Sequence, residues 1–208
     1  EVNENGVVVD VDGKLLKIAD YAEDPDAAEK LKPYKEKLEA VSNEEIGVVA
    51  TAELENPRTD GDNSKPSVRK NETALGNLIT DGMLQKAKEY NSNVIMSLQN
   101  GGGIRAPINR GPITVGEVIT VLPFGNTLAV MDVTGEELKA AFEHSVRSYP
   151  IENGGFLHVS SGVKVEFDSS KPAGERIVKI TYTDAEGNVV EIKDHETYTI
   201  ATNAFTAK

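Results

Sequence analysis

From Ser97 to Ile108 the chain reads SLQNGGGIRAPI. Asn100 carries two N–H donors and a carbonyl acceptor, which suit the edge of a base or a ribose. Arg105 carries a planar guanidinium fork, matched to phosphate or carboxylate. Between them stand Gly101, Gly102 and Gly103. Glycine loses more conformational freedom on folding than any other residue, so three in a row are costly to order. They are expected to take positive φ and to turn backbone N–H groups toward an anion. A tight structural turn with a surface Arg is the plainer account, but three glycines exceed what a turn requires.

Two aromatic residues add to this. Phe124 sits in LPFGN and Phe205 in TNAFTAK, each at a break in regular structure. A loop Phe can plug a core, or it can stack on a flat ligand. Two such rings facing one another would clamp a planar base, at about 1–3 kcal/mol per base. Arg69 lies in SVRKN, just before a helical pattern that starts at Asn71. A cation there opposes the helix dipole, and a bound anion would offset the conflict. A solvated surface Arg is the alternative.

Other chemistries find little support. The three histidines, His144, His158 and His195, show no ligand-pair spacing, and each fits a packed or surface position better. There is no Gly-x-Ser-x-Gly elbow, no Walker loop and no paired-carboxylate signature. DVDGK at 10–14 lacks the closing Glu of a calcium loop. With no cysteine, disulfides, thiolate catalysis and Cys–zinc sites are excluded. A net charge of −12 argues against a nucleic-acid polymer as partner, while leaving room for a local basic pocket. No apolar run is long enough for membrane insertion. The chain opens at Glu1 rather than Met, and is expected to be processed or excised from something longer.

The elements that must position these residues follow from periodicity. VVVDVDGKLLKI (7–18) alternates around Asp12-Gly13 and predicts a hairpin. Asp24 and Pro25 open a charged connecting helix with a thin stripe of Leu31, Tyr34, Leu38 and Val41, and Pro33 should kink or restart it. IGVVATAEL (46–54) predicts a strand and 55–67 a loop. Leu75, Leu78, Ile79, Met83 and Ala87 share a helical face. NVIMSL (93–98) predicts a strand buried on both faces. Thr114/Glu117 and Thr134/Glu137 predict capping boxes on two further helices, with a strand at 127–133 between them. The last third reads as a meander of antiparallel strands. The sum is a mixed α/β (α+β) domain, with residues 1 to about 45 as an extension.

The ordered set ETALGNLITDGM, NGGGIR, LPFGN, AFEHSV and terminal TNAF resembles the C-terminal, substrate-binding domain of the 5′-nucleotidase family, over about residues 45–208. The family's members are secreted or surface-attached two-metal phosphohydrolases. The resemblance implies a layered fold with mixed sheets flanked by helices. It makes residues 1–44 the tail of a preceding metallophosphoesterase domain with a linker helix. It assigns substrate binding to Arg69, Asn100, Gly102, Gly103, Arg105, Phe124, Asn203 and Phe205, with Phe124 and Phe205 sandwiching the base. The helix with Gly76, Asn77, Leu78 and Asp81 would support the glycine loop.

The family continues into Gly-Gly-Asp beyond Lys208, so the pocket is expected to be incomplete. No catalytic residue and no metal ligand is expected in this chain. Two divalent ions, zinc, manganese or similar, belong to an upstream catalytic domain, and the chain alone is expected to hydrolyse nothing. The implied function is the nucleotide- or nucleoside-binding part of an extracellular, secreted or cell-surface 5′-nucleotidase. The same domain of a 2′,3′-cyclic-nucleotide 2′-phosphodiesterase/3′-nucleotidase, or a non-catalytic nucleoside-binding surface module, is the alternative.

Overall fold

The computed structural model describes residues Glu1–Lys208, in two units, Glu1–Val41 and Ser42–Lys208. In the first unit the expected hairpin over 7–18 does not form. An isolated bridge joins Val2 to Val8 around a turn in which Asn3 Oδ1 accepts from the amides of Asn5 and Val7. A lone two-stranded hairpin is marginal in water, and here no third strand pairs with the segment. Helix α1 (Pro25–Ser42) follows, with Asp24 Oδ1 capping the amide of Ala27 at 3.0 Å. It runs through Pro33 without restarting, and Leu31, Tyr34, Leu38 and Val41 are exposed.

The second unit starts with β1 (Glu45–Ala50), which pairs with β3 (Gly111–Thr114), a strand the periodicity did not predict. Helix α2 (Ala74–Tyr90) begins later than expected, because Thr73 Oγ1 caps the amide of Gly76. The helix buries Leu75, Gly76, Thr80 and Ala87, while Leu78 is half exposed, so small and polar residues form much of its packed face. Thr80 and Ser97 are buried there without penalty: the Thr80 hydroxyl lies 2.9 Å from the Val159 carbonyl, and the Ser97 hydroxyl donates to the Thr80 carbonyl.

Strand β2 (Val94–Asn100) is buried along its length, as its continuous apolar run predicts. It lies inside a four-stranded sheet of order β4-β9-β2-β5, formed with β4 (Leu128–Thr134), β5 (Leu157–Val159) and β9 (Thr197–Asn203). β9 does not continue the meander. It runs parallel to β2, with Leu98 opposite Thr202, and antiparallel to β4. The meander is confined to β6 (Lys164–Phe167), β7 (Ile177–Thr183) and β8 (Val189–Glu191).

Helices α3 (Val115–Val121) and α4 (Gly135–Val146) carry the predicted capping boxes at Thr114/Glu117 and Thr134/Glu137. The main core forms where α4 and β7 pack against β2 and β9, around Met96, Leu98, Phe142, Ile180 and Ile200. A second core of Val68, Leu75, Ile104, Ile113 and Val121 lies under the segments that flank the glycines. The fold is thus mixed α/β and layered. Its two parallel neighbours, β2 and β9, end side by side at Asn100 and Asn203, the position where open α/β sheets present ligand-binding loops.

Candidate functional site

Gly101–Gly103 form one turn of 3-10 helix at the end of β2. None of them has positive φ, contrary to expectation. Two of the amides are not offered to a ligand either: Gly101 donates to Phe156 O at 2.7 Å and Gly102 to Gly154 O at 2.9 Å. Glycine is required here by close approach. A Cβ on Gly101 would fall against the Val68 carbonyl oxygen and 3.2 Å from Arg69 Cα; one on Gly102 would meet Gly154 O at 2.9 Å; one on Gly103 would strike the Gln99 side chain. The bend therefore binds neighbouring backbone first. What it shows outward is its flat, side-chain-free surface.

That surface is one wall of an open cleft of about 680 Å³. Phe124 and Phe205 both line it, together with Asn100, Gly102 and Gly103. The rings are 60% and 69% exposed, so neither is a core plug. Each close aromatic pair of the fold joins other rings, Tyr149 with Phe167, Phe156 with His158 and Tyr182 with Tyr198. The faces of Phe124 and Phe205 are thus free of aromatic neighbours.

The two asparagines at the strand ends are largely committed. Asn203 is buried, and its Nδ2 donates to Gln99 Oε1 and to Asn100 Oδ1, both at 3.0 Å. Its Oδ1 accepts from the Thr206 amide at 2.9 Å. Asn203 lines only a smaller adjoining hollow of about 170 Å³. Asn100 retains Nδ2, held at 3.4 Å from Gly154 O, a bond at the weak end of the range.

The basic residues gather beside the bend. Arg105 is exposed; its Nη1 donates to Gly102 O at 3.3 Å and its guanidinium lies 5.8 Å from the Phe124 ring centre. That cation–π contact stacks the charge on the ring that borders the cleft. Arg69 is half-buried, its carbonyl accepting from Asn153 N at 2.9 Å. Arg58, which sequence reasoning missed, joins them by donating Nη2 to Ile104 O at 2.8 Å. Burial, then the like charges of Arg69 and Arg105, hold Arg58 below its ordinary value. Two buried guanidinium nitrogens, Nη1 of Arg58 and Nε of Arg69, have no acceptor. An unmet buried donor costs about 1–3 kcal/mol; both nitrogens are enclosed, and none of the three arginines lines the cleft that holds Phe124 and Phe205. Glu152 braces the arginine cluster: its Oε2 accepts from Ser67 Oγ at 2.6 Å and Thr59 N at 3.2 Å. Those bonds, Ser67 first, and the nearby Arg69 hold its carboxyl below the usual range.

His144 and Asn126 also line the cleft and were missed. Asn126 was open to discovery, two residues past Phe124 on the same Pro-Phe-Gly loop. Arg58 and His144 carried no local signal, since nothing in their neighbours separates them from surface residues.

Behind the bend, His158 is 2% exposed and its Nε2 bonds Val68 O at 2.7 Å. Burial is the main cause holding this imidazole below its ordinary value, so it is neutral and Nε2 donates. The α2 residues support the same region: Gly76 packs on the His158 ring, and Asp81 accepts from Ser161 N and Oγ.

The cleft's donors are amides, guanidiniums and rings, and no group of three His, Cys, Asp or Glu side chains forms anywhere in the chain. These residues do not fit a divalent metal. No helix is long and apolar enough to cross a membrane.

Residues 47–208 match the family model described as 5′-nucleotidase, C-terminal domain. The trifunctional nucleotide phosphoesterase protein YfkN of Bacillus subtilis is 40% identical over 208 residues, 98% of this chain and 13% of that protein. The human 5′-nucleotidase is 36% identical over 189 residues, 86% of this chain and 31% of that protein. The crystal structure of a 5′-nucleotidase precursor from Thermus thermophilus superposes with a TM-score of 0.75 at 40% identity, over 100% of this chain and 39% of that one. The chain therefore spans well under half the length of each of these relatives.

Proposed function

Given that this chain belongs to the 5′-nucleotidase family, as its C-terminal domain, we propose that residues 45–208 hold the nucleotide substrate of a phosphohydrolase that converts nucleoside monophosphates to nucleoside and phosphate. The observation that carries the reading is the pair of exposed phenyl rings, Phe124 and Phe205, lining one cleft beside the glycine bend. Phe124 and Phe205 sandwich the base. Gly102 and Gly103 give it a bare wall, and Asn100 reaches it with its remaining Nδ2. Arg105, Arg69 and Arg58, clustered beside the bend, hold the phosphate end through the guanidinium N–H groups they leave accessible. Asn203 fixes Asn100 and Gln99 rather than reading the ligand itself.

Metal ions, which in this chemistry activate water and neutralise phosphoryl charge, belong to a catalytic domain outside residues 45–208. Residues 1–44 are the tail of that domain and the linker helix after it. An extracellular location is part of the same proposal and rests on the family alone.

Titration calorimetry of this chain with adenosine and AMP tests the reading. Loss of one stacking partner at about 1–3 kcal/mol predicts that Phe124→Ala weakens binding about 5- to 150-fold. Both rings are exposed, so the variants should melt like the parent. No binding by the parent chain, or unchanged affinity in both Phe124→Ala and Phe205→Ala, overturns it.

A further inference from the structure

A base lying between Phe124 and Phe205 finds Asn203 and most of Asn100 already committed, and of the other cleft side chains Asn126 offers a donor and an acceptor alike. His144 is different. It stands in the last turn of α4, exposed, and lines the same cleft as both phenyls. Its Nδ1 lies 2.9 Å from Nη1 of Arg147. A guanidinium has donors only and does not deprotonate in proteins. Nδ1 is therefore the acceptor in this contact, and the neutral ring must carry its proton on Nε2.

The Arg147 contact is the only hydrogen bond of the His144 ring, so Nε2–H remains free. The Nε2–Cδ2 edge lies along Gly155, itself part of the cleft wall; a Cβ there would sit 3.7 Å from both atoms. His144 also sits on α4, whereas Arg58, Arg69 and Arg105 lie on the segments around the glycine bend.

We propose that His144 is a base-reading residue: its Nε2–H, fixed as the donor by Arg147, bonds a ring nitrogen of a purine held between Phe124 and Phe205. This rests on the cleft being the nucleotide site. Arg147 acts through His144 and is a positioning residue. A donor-only edge favours a base that turns a lone pair toward α4 and rejects one that turns an N–H there, since two donors cannot pair.

The test uses this chain and a panel of adenosine, 1-deaza-, 3-deaza- and 7-deazaadenosine, read by calorimetry. Each analogue replaces one ring nitrogen by C–H. The parent chain should bind one of the three about tenfold more weakly than adenosine, the loss of one hydrogen bond. In His144→Ala, adenosine should fall to the level of that analogue and the preference should vanish. His144→Gln, which keeps a donor, should restore part of it, and Arg147→Ala should lose part. A melting curve for each variant checks folding; His144 and Arg147 are exposed.

If Phe124→Ala weakens adenosine but His144→Ala leaves the panel unchanged, the inference is wrong and the cleft assignment stands. If the parent chain binds no adenosine, both are wrong. Equal affinity of the parent for all four ligands also overturns the role of His144.

Discussion

Replacing Gly101 by Ala puts a methyl group where three backbone atoms already are. The new Cβ falls inside contact distance of Val68 O, 3.1 Å from Val68 C and 3.2 Å from Arg69 Cα. None of these can swing away as a side chain would. Val68 O is held by His158 Nε2 at 2.7 Å, and Gly101 N is held by Phe156 O at 2.7 Å. Relief requires moving either the 67–69 segment or the end of β2, and each movement breaks one of those bonds. Overpacking of this kind costs about 1–3 kcal/mol, and the loss of one hydrogen bond about 1 kcal/mol. The sum is about 2–4 kcal/mol. With a urea slope of about 2 kcal/mol/M, the midpoint should fall by about 1–2 M. Gly154→Ala is the control. Its Cβ meets Gly102 Cα at 3.4 Å, an ordinary contact, and should change stability by no more than about 0.5 kcal/mol. The assay is equilibrium urea unfolding by circular dichroism. A Gly101→Ala midpoint within about 0.3 M of the parent value would refute the argument that backbone approach is what demands glycine.

Gly76→Ala forces a methyl to 2.5 and 2.6 Å from Cγ and Cε1 of the buried His158 ring; it should destabilise strongly alone and much less in a His158→Ala background, and additive effects in the urea double-mutant cycle would contradict the contact. His158 is held below its ordinary value mainly by burial, so below about pH 6.5 the unfolded chain takes up a proton that the folded chain refuses. Stability should therefore be complete above that pH and decline below it, by at most about 1.4 kcal/mol per pH unit for one proton. Thermal melts between pH 7.5 and 5.5 check this, and an identical slope in His158→Gln would remove His158 as the cause. Arg58→Ala should cost about tenfold or more in affinity for AMP, the loss of a charge-assisted hydrogen bond, and leave adenosine binding nearly unchanged; equal losses for the two ligands in calorimetry would place Arg58 outside the anion site.

Part of the candidate site was legible because its signals are local or compositional. Phe124 between Pro123 and Gly125, Phe205 just past a strand, and Arg105 two residues beyond the glycines could be nominated from neighbours alone. So could the capping boxes at Thr114 and Thr134, because a cap and its third residue meet within one helical turn. The face of α2 was misjudged toward Leu78, because polar Thr80 and the small Gly76 are buried against partners far along the chain.

The order of residue types along the chain thus determined which groups were available: two loop aromatics, three bare backbone positions, an asparagine and the arginines. It also determined the buried run of β2, since a strand covered on both faces has to be apolar throughout. Tertiary structure decided what each group is free to do. It placed β9 parallel to β2, so that Asn203 and Asn100 satisfy one another. It pressed Val68 against Gly101 and gathered Arg58 with Arg69 and Arg105. It also turned the free edge of His144 to the cleft wall. Hydrogen-bond satisfaction and close packing are properties of pairs, and in these pairs the partners are separated by tens of residues. Their identity is set only when the chain closes on itself.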